Sequence, residues 1–148
     1  GRIARLTPKD ASYIGIDADA TRIEIAAKAF ARTLSAEFIC GDFTLRPLPG
    51  ILTGDVAVLA GVLEHVDDTD ALLQSLHGVA PTLIVEVPDV EAVPLNWARA
   101  QLGCRWYSDD DHVREYTRDL MRNHLERAGW RPVEWVQRGG MVLAVCRA

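Results

Sequence analysis

Along the chain, short runs of apolar residues alternate with segments in which apolar residues recur at helical spacing. Four apolar runs predict β-strands: SYIGID (12–17), AEFIC (36–40), DVAVLA (55–60) and TLIVEV (82–87). Apolar residues at three- and four-residue spacing predict a helix over residues 20–32, with Asp19 as its N-cap, and a second helix over residues 69–79. The run at 55–60 is apolar on both faces, which is typical of a buried parallel strand.

The last third of the chain has a different pattern. A helix is predicted to begin at Thr117 and to end at Gly129. Two β-rich runs, 133–137 and 141–146, are joined by Gly-Gly and predict a hairpin. The whole pattern predicts one α/β domain over residues 1–148, a doubly wound and mostly parallel sheet with an antiparallel hairpin at its C-terminal edge.

A polar and aromatic stretch interrupts this alternation. Residues 89–116 contain only a short helix, predicted around residues 95–102. We interpret this stretch as an insertion or a lid that faces a ligand.

Composition narrows the classes of protein that fit. The 148 residues are 49% hydrophobic and 25% charged, which is typical of a packed globular protein and excludes a disordered one. The net charge is −5 and the 16 basic residues form no run, so a nucleic-acid surface is disfavoured. No apolar run approaches the roughly 20 residues that span a bilayer, and no signal peptide is visible, so we expect a cytoplasmic protein without a membrane segment.

Acidic residues follow the first two predicted strands. In open parallel sheets, ligands bind beyond the carboxyl ends of the strands. There Asp17 could accept hydrogen bonds from ribose hydroxyls, or it could be a turn aspartate. Asp42 and Phe43 could hold an adenine, or they could be a turn acid beside a core phenylalanine. Together the two positions favour a nucleoside.

A set of motifs in fixed order carries a family resemblance. They are GRIARL, YIGID, ICGDF, DVAVLAGVLEHVDD, LIVEVP, HVREYTRDLMRNHLERAGW and the final hairpin. Over nearly the whole chain this order resembles the class I S-adenosylmethionine-dependent methyltransferases of the small-molecule type, and VLEHVDD and HVREYT are its most specific parts. The resemblance implies a Rossmann-like fold, S-adenosylmethionine as cofactor, and methyl transfer to a small-molecule acceptor by in-line displacement.

The resemblance also implies roles for individual residues. Asp17 would hold the ribose with Ala18 packed beside it, and Asp42 and Phe43 would contact the adenine. The methionine end of the cofactor would be lined by Ala60, Gly61 and Val62, together with Gly1.

One part of the family pattern is missing from the sequence. The family's first strand ends in a GxGxG loop, and this chain begins at the residue resembling the last of those glycines, Gly1. That strand would lie between the strands ending at Asp17 and Ala60. We therefore expect a fragment with two half-sheets and exposed edges, which by itself binds cofactor poorly and is inactive.

Two histidines are candidates for a general base. His65 lies in the LEHV motif, where a packing role is favoured because that motif accompanies unrelated acceptors. His112 lies in the stretch expected to cover the acceptor, where it could act as a base or order the loop. The consecutive acids of residues 109–111 have no regular ligand spacing, and we assign no metal.

Two other function classes compete with methyl transfer. A nicotinamide-dependent short-chain dehydrogenase needs Tyr-x-x-x-Lys, but Asp17, Asp111 and Leu120 stand four residues after the three tyrosines. The missing motif makes a dehydrogenase the less favoured alternative. A degenerate methyltransferase-like domain that only binds a ligand or a partner stays open, since the glycine-rich loop is incomplete.

Overall fold

The computed structural model describes residues 8, 10–30, 35–44, 52–104, 107 and 109–148. The chain divides into two compact units, Gly1–Gly50 and Ile51–Ala148. Every helix in the described part of the chain is too short or too polar to cross a bilayer.

The first unit is a strand–helix–strand motif. Strand β1 (Ser12–Asp17) is followed by helix α1 (Ala20–Phe30) and strand β2 (Ser35–Cys40), and the two strands pair in parallel. Oδ1 of Asp19 accepts a hydrogen bond from the N–H of Thr21 at 2.8 Å, which confirms the predicted N-cap. The helix was predicted to run to residue 32, and residues 31–34 lie outside the described ones.

Gly15 allows two aromatic rings to meet over β1. A Cβ built at this position would lie 2.9 Å from the ring of Tyr13 and 3.0 Å from the ring of Phe38. These two rings contact each other with centroids 5.8 Å apart. A side chain here would push the rings apart, so the glycine is required by packing.

The second unit is a four-stranded sheet covered by helices. Its elements are β3 (Val56–Ala60), α2 (Thr69–Ser75), β4 (Thr82–Pro88), α3 (Pro94–Gln101), α4 (Arg118–Arg127), β5 (Arg131–Arg138) and β6 (Met141–Arg147). The sheet order is β3-β4-β6-β5, with β3 and β4 parallel and the other two pairings antiparallel. The mixed α/β sheet with a terminal hairpin is therefore as predicted.

Local signals at the ends of α4 also agree with the prediction. The side chain of Thr117 accepts a hydrogen bond from the N–H of Leu120, and Gly129 follows the helix with φ of 89°. Helix α2 is shorter than predicted, because residues 76–78 form a 3₁₀ turn after Ser75.

Strand β4 carries the centre of the core. Leu83, Val85 and Val87 are fully buried in it, between the neighbouring strands β3 and β6. The indole N–H of Trp130 donates to the carbonyl of Leu73 at 2.9 Å, which ties the end of α4 to α2. The indole keeps its hydrogen bond while its large apolar surface is buried.

The polar stretch between β4 and α4 begins and ends at one point. Asp89 forms a parallel bridge with Tyr116, and the N–H of Val90 donates to the carbonyl of Tyr116 at 3.0 Å. Within the stretch, α3 exposes Leu95 and Trp97. Its base is thereby held to the sheet at the carboxyl end of β4.

Candidate functional site

In the first unit, the predicted nucleoside-binding residues follow adjacent parallel strands. Asp17 is opposite Cys40 in the register, and Asp42 and Phe43 follow two residues later. Ala18 lies in the turn after β1. The structure therefore brings the four residues to the same edge of the two-stranded sheet.

Both aspartates of this edge make local hydrogen bonds. Oδ1 of Asp17 accepts from the N–H of Asp19 at 2.9 Å. Oδ1 of Asp42 accepts from the hydroxyl of Thr44 at 2.6 Å and from its N–H at 2.9 Å. These two bonds, that from the hydroxyl foremost, hold the pKa of Asp42 below its usual range. Asp42 therefore stays a carboxylate, which can accept further hydrogen bonds from a ligand.

In the second unit, the chain turns sharply after β3. Gly61 has φ of 65°, a conformation that favours glycine, and its N–H donates to the carbonyl of Glu86 at 3.0 Å. Ala60 and Val62 flank it, and a 3₁₀ turn over Leu63–His65 follows. A Cβ at Gly61 would lie 3.6 Å from Oε1 of Glu64. The residues predicted to line the methionine end thus adjoin Glu64. Gly1 lies outside the described residues.

The structure brings the two candidate histidines together. The rings of His65 and His112 meet edge to face, with centroids 4.8 Å apart. The backbone holds the two segments in register, because the N–H of Val113 donates to the carbonyl of Glu64 at 2.8 Å. We call Glu64, His65, His112 and Glu115 the histidine cluster.

His112 is paired with a buried carboxylate. Its Nδ1 lies 2.9 Å from Oε1 of Glu115, and the two side chains are 6% and 1% exposed. A carboxylate oxygen accepts, so Nδ1 of His112 donates. In the neutral ring this leaves the lone pair on Nε2, and the carboxylate would stabilise the ring once it is protonated.

Glu64 lies in the same cluster and is 3% exposed. Burial raises the pKa of its carboxyl group. Its Oε2 has no hydrogen-bond partner in the part of the protein that the structure describes. His65, with an exposed side chain, places Nδ1 3.3 Å from the carbonyl oxygen of Asp111. The cluster thus holds two carboxylates and two imidazoles at the carboxyl end of β3.

Hydrogen bonds of Arg114 and Tyr116 hold the two segments of the histidine cluster together. Arg114 donates to the hydroxyl of Thr69 at 2.7 Å, and the hydroxyl of the fully buried Tyr116 lies 3.1 Å from the same atom. Tyr116 also donates to the carbonyl of Leu63 at 3.4 Å. The HVREY motif is therefore anchored to the turn that carries Glu64 and His65.

Sequence reasoning did not assign Glu64 and Glu115 to the site. Glu64 adjoins His65, and Glu115 follows His112 by three residues, so their proximity to the histidines was visible. Only the fold shows that the two segments meet.

A comparison with protein families supplies the identification. Residues 1–81, more than half of the chain, match the family described as "Methyltransferase domain". The chain belongs to the class I S-adenosylmethionine-dependent methyltransferases. Among proteins with curated descriptions, none matches this methyltransferase domain.

Solved structures agree with the fold of this family. The CMeT domain of a citrinin polyketide synthase is 14% identical with a TM-score of 0.69, and the alignment covers 93% of this chain and 39% of that one. The small RNA methyltransferase HEN1 is 18% identical with a TM-score of 0.71, with 90% and 19% covered. Magnesium protoporphyrin IX methyltransferase from Synechocystis PCC 6803, with bound SAH, is 16% identical with a TM-score of 0.69, with 99% and 68% covered.

These likenesses establish the Rossmann-like α/β methyltransferase fold with its antiparallel C-terminal strands. This chain spans less than half the length of the first two proteins.

Proposed function

We propose that this methyltransferase domain transfers a methyl group from S-adenosylmethionine to a small-molecule acceptor. The observation that carries the proposal is the buried His112–Glu115 pair, which lies with His65 at the carboxyl end of β3. Ligands of open α/β sheets bind beyond that end.

The cofactor-binding roles are proposed for each unit by itself. In the first unit, Asp17 accepts hydrogen bonds from the ribose hydroxyls beside Ala18, and Asp42 and Phe43 contact the adenine. In the second unit, the methionine end lies along the turn formed by Ala60, Gly61 and Val62. Gly61 suits this role because the absence of a side chain lets a ligand approach the backbone.

The protein's task is mainly alignment, because the sulfonium of the cofactor is already an activated methyl donor. An acceptor hydroxyl or amine must still lose a proton as the new bond forms. Nε2 of His112 takes that proton while Glu115 stabilises the resulting imidazolium. His65 packs edge to face on the ring and positions it.

The acceptor class rests on charge and composition. The chain carries a net charge of −5 without a basic run, which is unsuited to a polyanionic acceptor. The stretch at residues 89–116 contains exposed apolar side chains, Leu95 and Trp97 among them, which suit an apolar metabolite. An RNA acceptor is the competing possibility, since HEN1 shares the fold.

The test is a labelling experiment with the purified full-length protein. S-adenosylmethionine with a labelled methyl group is mixed with the low-molecular-weight fraction of a cell extract or with its RNA fraction. Label is expected only in the first mixture, and the His112→Asn variant should transfer far less. Transfer to RNA alone would overturn the acceptor class. Cofactor binding without transfer to either fraction would favour a degenerate binding domain.

A further inference from the structure

We propose that Glu64, His65 and His112 form a binding site for one divalent transition-metal ion at the carboxyl end of β3. One potential ligand atom from each side chain lies within 4.8 Å of the other two. An ion with bonds of about 2.0–2.2 Å places its ligand atoms roughly 3–4 Å apart. Small side-chain movements would therefore close the three groups around an ion.

The buried carboxylate of Glu64 is the second, independent observation. At 3% exposure it leaves Oε2 without a hydrogen-bond partner among the described residues. A buried polar atom without a partner destabilises a fold, and more so when it is charged. A cation bound to this oxygen would remove that cost.

The histidines are oriented as metal ligands commonly are. A metal-binding imidazole usually donates its other N–H to a carboxylate or a backbone carbonyl. Nδ1 of His112 donates to Glu115 at 2.9 Å, and Nδ1 of His65 donates to the carbonyl of Asp111 at 3.3 Å. Both neutral rings then carry their lone pair on Nε2, the atom that we assign to the ion.

The backbone holds the three ligands in place. The N–H groups of Val113 and Arg114 both donate to the carbonyl of Glu64, at 2.8 and 3.3 Å. His112 is thereby fixed beside the 3₁₀ turn that carries Glu64 and His65. The site is preorganised by hydrogen bonds that do not involve the ligand atoms.

The ligand set indicates the class of ion. Two imidazoles and one carboxylate suit Mn²⁺, Fe²⁺, Co²⁺ or Zn²⁺, whereas Mg²⁺ and Ca²⁺ prefer sites made of oxygen ligands. Three protein ligands leave coordination positions for water or an acceptor oxygen.

The role of the ion rests on the proposed function, whereas its binding does not. A bound ion lowers the pKa of a coordinated hydroxyl, whose proton then passes to solvent before the oxygen attacks the methyl group. When the ion is bound, Nε2 of His112 is one of its ligands and cannot take a proton. The ion then promotes loss of the acceptor's proton, which the imidazole takes in the metal-free protein.

A neighbouring set of groups competes for this assignment. Asp109 and Asp111 also have ligand atoms within 4.8 Å of one another and of His112. Both aspartates are exposed, and the side chain of Asp111 is 73% exposed. Exposed carboxylates are hydrated without an ion, so only Glu64 has a burial cost that an ion would relieve.

The experiment is a metal titration of purified protein stripped with a chelator, without cofactor or acceptor. Co²⁺ is followed by its visible absorption and by calorimetry, and Mg²⁺ is titrated in parallel. We expect saturation at one Co²⁺ per chain, a higher melting temperature when Co²⁺ is bound, and much weaker Mg²⁺ binding.

Variants assign the ligands. Glu64→Gln and His65→Gln should each weaken Co²⁺ binding at least tenfold, whereas Asp109→Asn should bind as the unmodified protein does. Glu64→Gln is nearly isosteric, and its metal-free melting temperature should be equal or higher, which separates lost binding from misfolding.

Two outcomes would overturn the site: no saturable Co²⁺ binding, or an affinity that depends on Asp109 and not on Glu64. Methyl transfer that persists without bound metal would leave the proposed function intact. Metal binding by a protein that transfers no methyl group would leave this site intact and refute the function.

Discussion

Two acidic residues in each unit are held in place in contrasting ways. In the first unit, Asp17 and Asp42 accept hydrogen bonds from residues two positions along the chain. In the second, Glu64 and Glu115 are buried beside histidines of a shared cluster, which joins two distant segments of the chain. Short-range bonds leave an acid accessible to a ligand that binds and leaves. Burial between segments that are distant in sequence fixes the carboxylates and imidazoles of the histidine cluster relative to one another.

The same contrast holds for apolar residues. Among the described residues of the first unit, Phe30 is buried, whereas Ile14 and Ile25 are 43% and 63% exposed. In the second unit, Leu73 and Leu83 are fully buried. The resistance to unfolding should therefore be concentrated in the second unit.

The largest expected effect tests this difference in burial. Leu73→Ala should lower the free energy of unfolding by about 2–5 kcal/mol, because it leaves a cavity in the core of the second unit. Ile25→Ala, at an exposed position of α1, should change it by less than about 1 kcal/mol. Equilibrium denaturation measures both, and equal losses would contradict the assignment of stability to the second unit.

The next effect concerns the histidine cluster. In the full-length protein, His112→Asn should lower turnover by about 100-fold or more, the usual contribution of acid–base catalysis, while the affinity for S-adenosylmethionine stays nearly unchanged. The loss of turnover is expected whether Nε2 of His112 takes the proton or binds an ion. Single-turnover kinetics measures the chemical step, with Asp109→Asn as the exposed control. A variant with normal chemistry would leave alignment alone as the mechanism.

A third effect belongs to the first unit. In the full-length protein, Asp17→Ala should weaken binding of S-adenosylmethionine by about 1.5–3 kcal/mol, the scale of hydrogen bonds to a charged group. Glu24→Gln, on the exposed surface of α1, serves as the matched control. Calorimetry that shows the same affinity for both variants would remove Asp17 from the site and leave it as a turn residue.

The smallest effect is electrostatic and depends on pH. Burial disfavours the charged form of Asp70, but hydrogen bonds from Arg127 and His124 outweigh it and hold the pKa of Asp70 below its usual range. Stabilisation by a lowered pKa is present above about pH 4 and is lost as the pH falls through the folded-state pKa.

Asp70→Asn should therefore reduce stability by about 1 kcal/mol at neutral pH and by progressively less in acid. Denaturation curves from pH 7 to pH 3 measure the difference, and Asp119→Asn, which removes an exposed ion pair, should have a smaller effect. A difference that does not change with pH would mean that Asp70 acts through its shape and not its charge.

Much of the fold could be predicted from the sequence, because its signals are local. The N-caps at Asp19 and Thr117, the glycine after α4 and the Gly-Gly hairpin all depend on neighbours within a few residues. The apolar run of β4 was likewise visible as a strand. The expectation that β3 is a buried strand was wrong, because β3 lies at the edge of the described four-stranded sheet and leaves Val56 and Val58 48% and 37% exposed. The ends of the strands then follow from the pattern, which is why Asp17 and Asp42 could be named as candidates for binding a nucleoside.

The tertiary structure alone decided the composition of the histidine cluster. The sequence separates His65 from His112 by the whole of α2, β4 and α3, and no periodicity connects them. They meet because the residues before α4 return to the turn after β3 and donate backbone hydrogen bonds to the carbonyl of Glu64. That contact buries Glu64 beside two imidazoles, and burial, which depends on every segment packed around the site, cannot be computed from neighbours in sequence.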